Sequence, residues 1–227
     1  RVFKAIELAK NQGVYYKVIA PYEDTAGKHE VGEETFLVGP TIFFPRIEHQ
    51  VISYGDKTRH YATAIPAGEG LYILDKVTGS IKVQRAGDTM FLLDPRTQVR
   101  VRRPLSAQQS EDYFPGNAMA AEYNQALRKM QLQSQSGRSG VVSENDFAKN
   151  YTSRHTSPAV LLGASSAETY AGGTRYTESE SFIADSKLSG AVMIRPYNGY
   201  AVQVTNKTGT ARVVKGESTI LLEYDED

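Results

Sequence analysis

Two stretches of this chain echo one another, and that recurrence constrains the fold more than any other feature. Ile65–Asp94 reads IPAGEGLYILDKVTGSIKVQRAGDTMFLLD, and Ile194–Glu223 reads IRPYNGYAVQVTNKTGTARVVKGESTILLE. Aligned on their glycines, Gly70 falls on Gly199 and Gly87 on Gly216, both pairs 129 residues apart. Gly79 and Gly209 differ by one position, as a hairpin loop of altered length would. An earlier copy precedes these: Gly39 stands 48 residues before Gly87, and Thr41-Ile42-Phe43-Phe44 lines up with Thr89-Met90-Phe91-Leu92. Spacing of about fifty residues is characteristic of arrays of small β-units.

Within one copy, Leu71-Tyr72-Ile73-Leu74 is a run of β-formers, and Lys76-Val77-Thr78-Gly79 is a hairpin loop with a late glycine. Ser80–Arg85 then alternates, placing Ile81 and Val83 on one face. Ala86-Gly87 makes a second turn and Thr89–Leu93 a third strand. The expectation is a three-stranded antiparallel meander whose apolar face is covered only by a neighbour. The chain therefore reads as mainly β, with tandem small antiparallel repeat domains: residues 1–52, 53–103 and 191–227. Gly39, Pro40, Gly70, Gly79, Gly87, Gly199, Gly209 and Gly216 are the expected corners and turns.

Before the first corner, Val2–Leu8 and Val14–Ile19 read as a hairpin about Asn11-Gln12-Gly13, although Val2, Ile6 and Ala9 also fit a helical stripe. Glu23–Lys28 reads as a polar loop. Residues 104–190 form an insertion rich in Ser, Gln, Ala and Gly. It holds one expected helix near 117–131, capped at Asn117, with Met119, Tyr123, Leu127 and Met130 at helical spacing. A linker (Gln133–Gly140) and a polar tract follow. Such a segment orders itself poorly alone. Its ordering by neighbouring chains is the expectation, and it points to assembly.

The chemistry is sparse. Net charge is zero and cysteine is absent, so bulk electrostatics call for no nucleic acid, and disulfides and thiolate metal sites are excluded. The four histidines have no paired metal spacing, and Gly68-Glu69-Gly70 lacks the third glycine of a dinucleotide fingerprint. Ser165, in Gly163-Ala164-Ser165-Ser166-Ala167, lacks the second glycine of a nucleophile elbow, and His155 precedes it with no placed acid. No catalytic set, cofactor or metal site is expected. No apolar run reaches membrane-spanning length and no signal pattern opens the chain, so a soluble, cytoplasmic protein is expected. Arg1 in place of Met, and an end just after a β-run, read as a piece of a longer chain. The most informative charges are Arg96, Arg100 and Arg102, the last two sharing a strand face with Gln98. Glu223, Asp225 and Asp227 form an acidic counterpart, and the six are candidate subunit contacts.

GEETFLVGPTIFFPR (Gly32–Arg46), AIPAGEGLYILDKVTGSIKVQRAGDTMFLL (Ala64–Leu93) and GYAVQVTNKTGTARVVKGE (Gly199–Glu217) carry several spaced corners in order. Together they resemble the wall repeats of the major vault protein family. Phe36 stands where that family usually has Trp, and Ala86-Gly87-Asp88 replaces its more apolar corner. The resemblance covers about residues 1–101 and 192–223 and omits the insertion. It implies a structural, non-enzymatic subunit of a ribonucleoprotein-particle shell, self-assembling by side-by-side packing of identical chains. It also implies a stomatin- or prohibitin-like domain beyond Asp227, which supplies any membrane contact. Rival readings are a virion structural protein, a membrane-associated scaffold and, least supported, an enzyme using Ser165.

Overall fold

The computed structural model describes residues 4–53, 57–87, 90–134, 142–143, 182–184, 190–216 and 218–227. The fold is mainly β, as expected, and is made of small antiparallel sheets. It divides into two compact units, Arg1–Ile65 with Gly87–Gln98, and Pro66–Ala86 with Val99–Asp227.

In the first unit the strands are β1 (Ile6–Leu8), β2 (Gln12–Val18), β3 (Tyr22–Asp24), β4 (Gly27–His29), β5 (Glu34–Val38), β6 (Thr41–Phe43), β7 (His49–Val51) and β8 (Arg59–Tyr61). The expected hairpin of β1 with β2 is not formed. β1 pairs with β6, and β2 pairs with β5 on one edge and with β7 and β8 on the other. The cause lies at two corners. A tight turn, closed by Gln12 N–H donating to Ala9 O at 3.0 Å, carries the chain from one sheet to the other. Gly39, after β5, carries it back. Leu8, Val14 and Phe43 from the two sheets then meet as a core, each side chain contributing about 1.5–3 kcal/mol by burial. Glu23–Lys28, expected as a loop, lies in the β3–β4 hairpin, whose turn is held by Ala26 N–H donating to Asp24 Oδ1 at 2.8 Å.

The second unit holds β9 (Gly70–Asp75), β10 (Ile81–Arg85), β11 (Gln98–Arg102, from Val99 onward), α1 (Ala107–Tyr113), α2 (Ala118–Ser134), β12 (Val142–Ser143), β13 (Phe182–Ala184), β14 (Met193–Pro196), β15 (Ala201–Thr205), β16 (Ala211–Lys215) and β17 (Ile220–Leu221). The β9–β10 hairpin forms in the expected place, but of the expected third arm, Thr89–Leu93, the described residues Met90–Leu93 do not pair with it. β11 lies beside β9 instead, and Phe91 bridges Thr63 in the first unit. The expected helix is α2, and Asn117 caps it through Oδ1, which accepts from Ala120 N–H at 3.0 Å. The buried Asn124 amide closes a reciprocal pair with the Leu105 backbone at 2.8 and 2.6 Å, which fixes where α2 sits. Tyr72 and Leu222 are 1% exposed. The Tyr72 hydroxyl donates to Leu222 O at 3.0 Å and accepts from Val192 N–H at 3.2 Å.

One set of main-chain contacts occurs near both ends of the chain. β14 pairs with β17 and β15 with β16, as β1 pairs with β6 and β2 with β5. Gly39 N–H donates to Gln12 O at 3.0 Å, and Gly216 N–H to Tyr200 O at 2.8 Å. A Cβ on Gly39 would lie 2.2 Å from Ala9 O, and one on Gly216 2.3 Å from Tyr197 O. Both corners therefore require glycine for close backbone approach rather than for unusual φ. The alignment of Gly70 with Gly199 needs correcting. Gly199 has φ +85°, and its counterpart in conformation is Gly68 at +84°, each in a turn closed across four residues. Gly70 is not a turn residue; it opens β9, packed against Leu221 and Val83. Spacing alone could not tell which glycine of Gly68-Glu69-Gly70 takes positive φ, because single-residue length differences separate the two stretches. One of these is the hairpin loop, closed from Asp75 to Ser80 between β9 and β10 and from Asn206 to Thr210 between β15 and β16.

Candidate functional site

Most of the six candidate contact residues are engaged within the chain. Arg96 forms a fork with Asp94 (Nη2 to Oδ2 2.8 Å, Nε to Oδ1 3.1 Å) and also donates to Glu34 O at 3.3 Å. Arg102 is 3% exposed, with its guanidinium 5.3 Å from the Tyr123 ring centre on α2. It presents no cationic face to a neighbour, and that expectation is corrected. A strand period of two could not show that Tyr123 of α2 would cover it. Arg100 is half-buried. Glu223 lies 3.6 Å from Arg85, and Asp225 is exposed. Asp227 accepts from Arg103 and, at 2.6 Å, from Gln109 Nε2. Two of the three acidic candidates thus meet Arg103 and Arg85 inside the chain, which is not the contact between subunits that was expected. A polar cleft of about 280 Å³ lies beside Arg103, Arg128, Lys207 and Asp227. The Ser106 hydroxyl on its wall is committed to the cap of α1, accepting from Gln109 N–H at 3.0 Å.

Scattered in sequence, His29 and His49 come together in the first unit around Tyr22. His29 Nδ1 lies 3.0 Å from Glu33 Oε2, and Nε2 lies 3.3 Å from Asp24 Oδ1. The Tyr22 ring stacks on His29 at 4.5 Å, takes Arg46 at 4.8 Å, and its hydroxyl is 2.9 Å from His49 Nε2. Tyr16 and Phe43 also pack against the His49 ring, at 4.5 and 5.7 Å. No sequence period announces this cluster, since a 27-residue separation joins Tyr22 to His49. Among the described residues, no group of three His, Asp or Glu is arranged to hold a metal ion.

The two imidazoles titrate in opposite directions. The hydrogen bond to Glu33, helped by Asp24, raises the His29 pKa above its ordinary 6.5, whereas burial lowers that of His49. A protonated His29 donates to both carboxylates, and a neutral one to a single carboxylate. Because the folded pKa is the higher one, the stabilisation from His29 is complete below about pH 6.5 and is lost as pH rises through the raised value. In an NMR titration, His29 is expected to titrate above 6.5 and His49 below it. The His29→Gln variant is expected to lose the pH dependence of amide protection in the β3–β4 hairpin, measured relative to the intrinsic exchange rate at each pH. Equal pKa values for the two rings would contradict this account.

His155 and Ser165 lie outside the described residues. Among the described residues, no helix is long and apolar enough to cross a membrane. No family model matches this chain, and no curated protein matches it in sequence.

Proposed function

We propose that this chain is a structural subunit of a large homo-oligomeric, vault-like shell in the cytoplasm, built by side-by-side packing of identical chains. The observation that carries the reading is the recurrent corner. Gly39 and Gly216 make the same hydrogen bond and the same close approach, within the same pairing of four strands. A chain of small sheets joined by backbone corners offers broad surfaces for packing against identical chains. The engaged charges fit this role as well. Arg96, Arg102 and Asp227 stiffen the chain that does the packing, and lateral contacts fall to exposed apolar side chains such as Phe44, Ile47 and Val213. Each such contact is weak, and many acting together hold an assembly.

The test is the size of the full-length product. Light scattering and negative-stain images are expected to show large closed particles. A monodisperse monomer at high concentration would remove this reading.

A further inference from the structure

The polar cleft of the second unit carries more positive charge than its own walls balance. It forms where α1 and α2 meet the β15–β16 hairpin, and all the residues that line it are described. Its cations come from three separate elements. Arg103 follows β11, Arg128 stands on α2, and Lys207 lies in the loop between β15 and β16. Each is held in place through its backbone or its neighbours. Asn124, whose amide pair with Leu105 fixes α2, lies one turn before Arg128 on the same helix face. Lys207 N–H donates to Asp225 O at 3.0 Å, and Arg103 Nη1 donates to Glu223 O at 3.3 Å.

Three cationic side chains and one anionic side chain line the cleft, in a chain whose net charge is zero. The anionic one, Asp227, shows what this wall recognises. Arg103 and Gln109 converge on the same carboxylate oxygen, Oδ1, with the Gln109 amide 2.6 Å away. That leaves the other two cations uncompensated, for among the described residues neither Arg128 nor Lys207 has an acidic partner. Uncompensated cations around one hollow repel each other and attract an anion from solution. Guanidinium forks fit the oxygens of phosphate, and an ammonium group serves it as a point charge. A volume of about 280 Å³ is at the small end of ligand sites, with room for phosphate and a sugar-sized group.

We infer that this cleft binds a phosphate dianion, free or as the monoester of a small metabolite, in the space beside Asp227. Arg128 and Lys207 supply the two charges that match the dianion, and the buried Arg103 keeps Asp227 turned to one side. The inference rests on the cleft alone and is independent of the shell reading.

The test is an NMR titration of the protein with inorganic phosphate at about pH 7.5, where the dianion prevails. Saturable shifts are expected at the Gln109 and Lys207 amides. Ribose 5-phosphate is expected to shift the same amides. Tighter binding of the ester would assign the site to a monoester, and equal binding to free phosphate. Acetate, a monoanion, is expected to bind about tenfold more weakly at equal ionic strength. Arg128 and Lys207 are exposed, so their variants keep the fold. Arg128→Gln combined with Lys207→Gln is expected to weaken phosphate binding about tenfold or more. Asp227→Asn keeps an oxygen for Arg103 and Gln109, removes a repelling charge, and is expected to tighten binding severalfold. No saturable shift at millimolar phosphate, an affinity unchanged by the double variant, or acetate bound as tightly as phosphate would overturn the inference.

Discussion

Truncating Tyr72 to alanine is expected to lower the stability of the second unit by about 3–5 kcal/mol, the range for removing a buried aromatic ring. The ring packs in a core with Val101, Ala191 and Leu221, and edge-on against Tyr224 at 5.3 Å. Its hydroxyl joins Leu222 O to Val192 N–H, so it closes the end of the β14–β17 ladder. Tyr72→Phe separates the two contributions. The ring stays, two buried backbone groups lose a partner, and the cost is expected to be about 1–3 kcal/mol. Denaturant unfolding of the three proteins, read by amide exchange at Val192, measures both steps. A Tyr72→Phe variant as stable as the parent would mean the hydroxyl bridge contributes nothing.

The second large effect is expected at the corners. Gly39→Ala and Gly216→Ala each drive a methyl group to within 2.2–2.3 Å of a carbonyl oxygen on the facing turn. Backbone has to move, at about 3 kcal/mol or more, the upper end of overpacking costs. Gly209→Ala is the control. Its added Cβ meets nothing within 4 Å, but its φ of +86° leaves only the left-handed strain of about 1–2 kcal/mol. Calorimetry with site-resolved exchange is expected to place the Gly39 loss in the first unit and the Gly216 loss in the second. The order of costs, corner above loop, distinguishes close approach from φ preference.

These corners also mark how far the sequence could be read. Gly39 and Gly216 were visible as anchors because nothing else fits where two backbones touch, and the β9–β10 hairpin because its loop and alternation agree. The helix α2 was legible from its cap and its spacing of Tyr123 and Leu127. Partner choice was not legible. β1 and β2 look like a hairpin because they adjoin, yet each pairs with a strand that follows the next corner, and no local pattern records that exchange. α1 escaped notice because only Ser110 and Tyr113 of its seven residues are buried, so it has almost no apolar stripe. Arg102 looked like a surface charge for a related reason. The tyrosine that covers it, Tyr123, arrives from a helix later in the chain, and composition assigns arginine to solvent by default. The histidine cluster failed to register because its members converge only after three strands have paired.

The bridge from Tyr72 to Leu222 spans 150 residues of sequence. A ribosome adding about 5–20 residues per second emits the β9–β10 hairpin roughly 8–30 s before the partner that covers its greasy side. For that interval the nascent chain carries an uncovered sheet, which chaperones must shield or which must find a makeshift cover. Protein yield in cells is therefore expected to depend on translation speed through the long insertion, even for synonymous changes that leave the finished molecule identical.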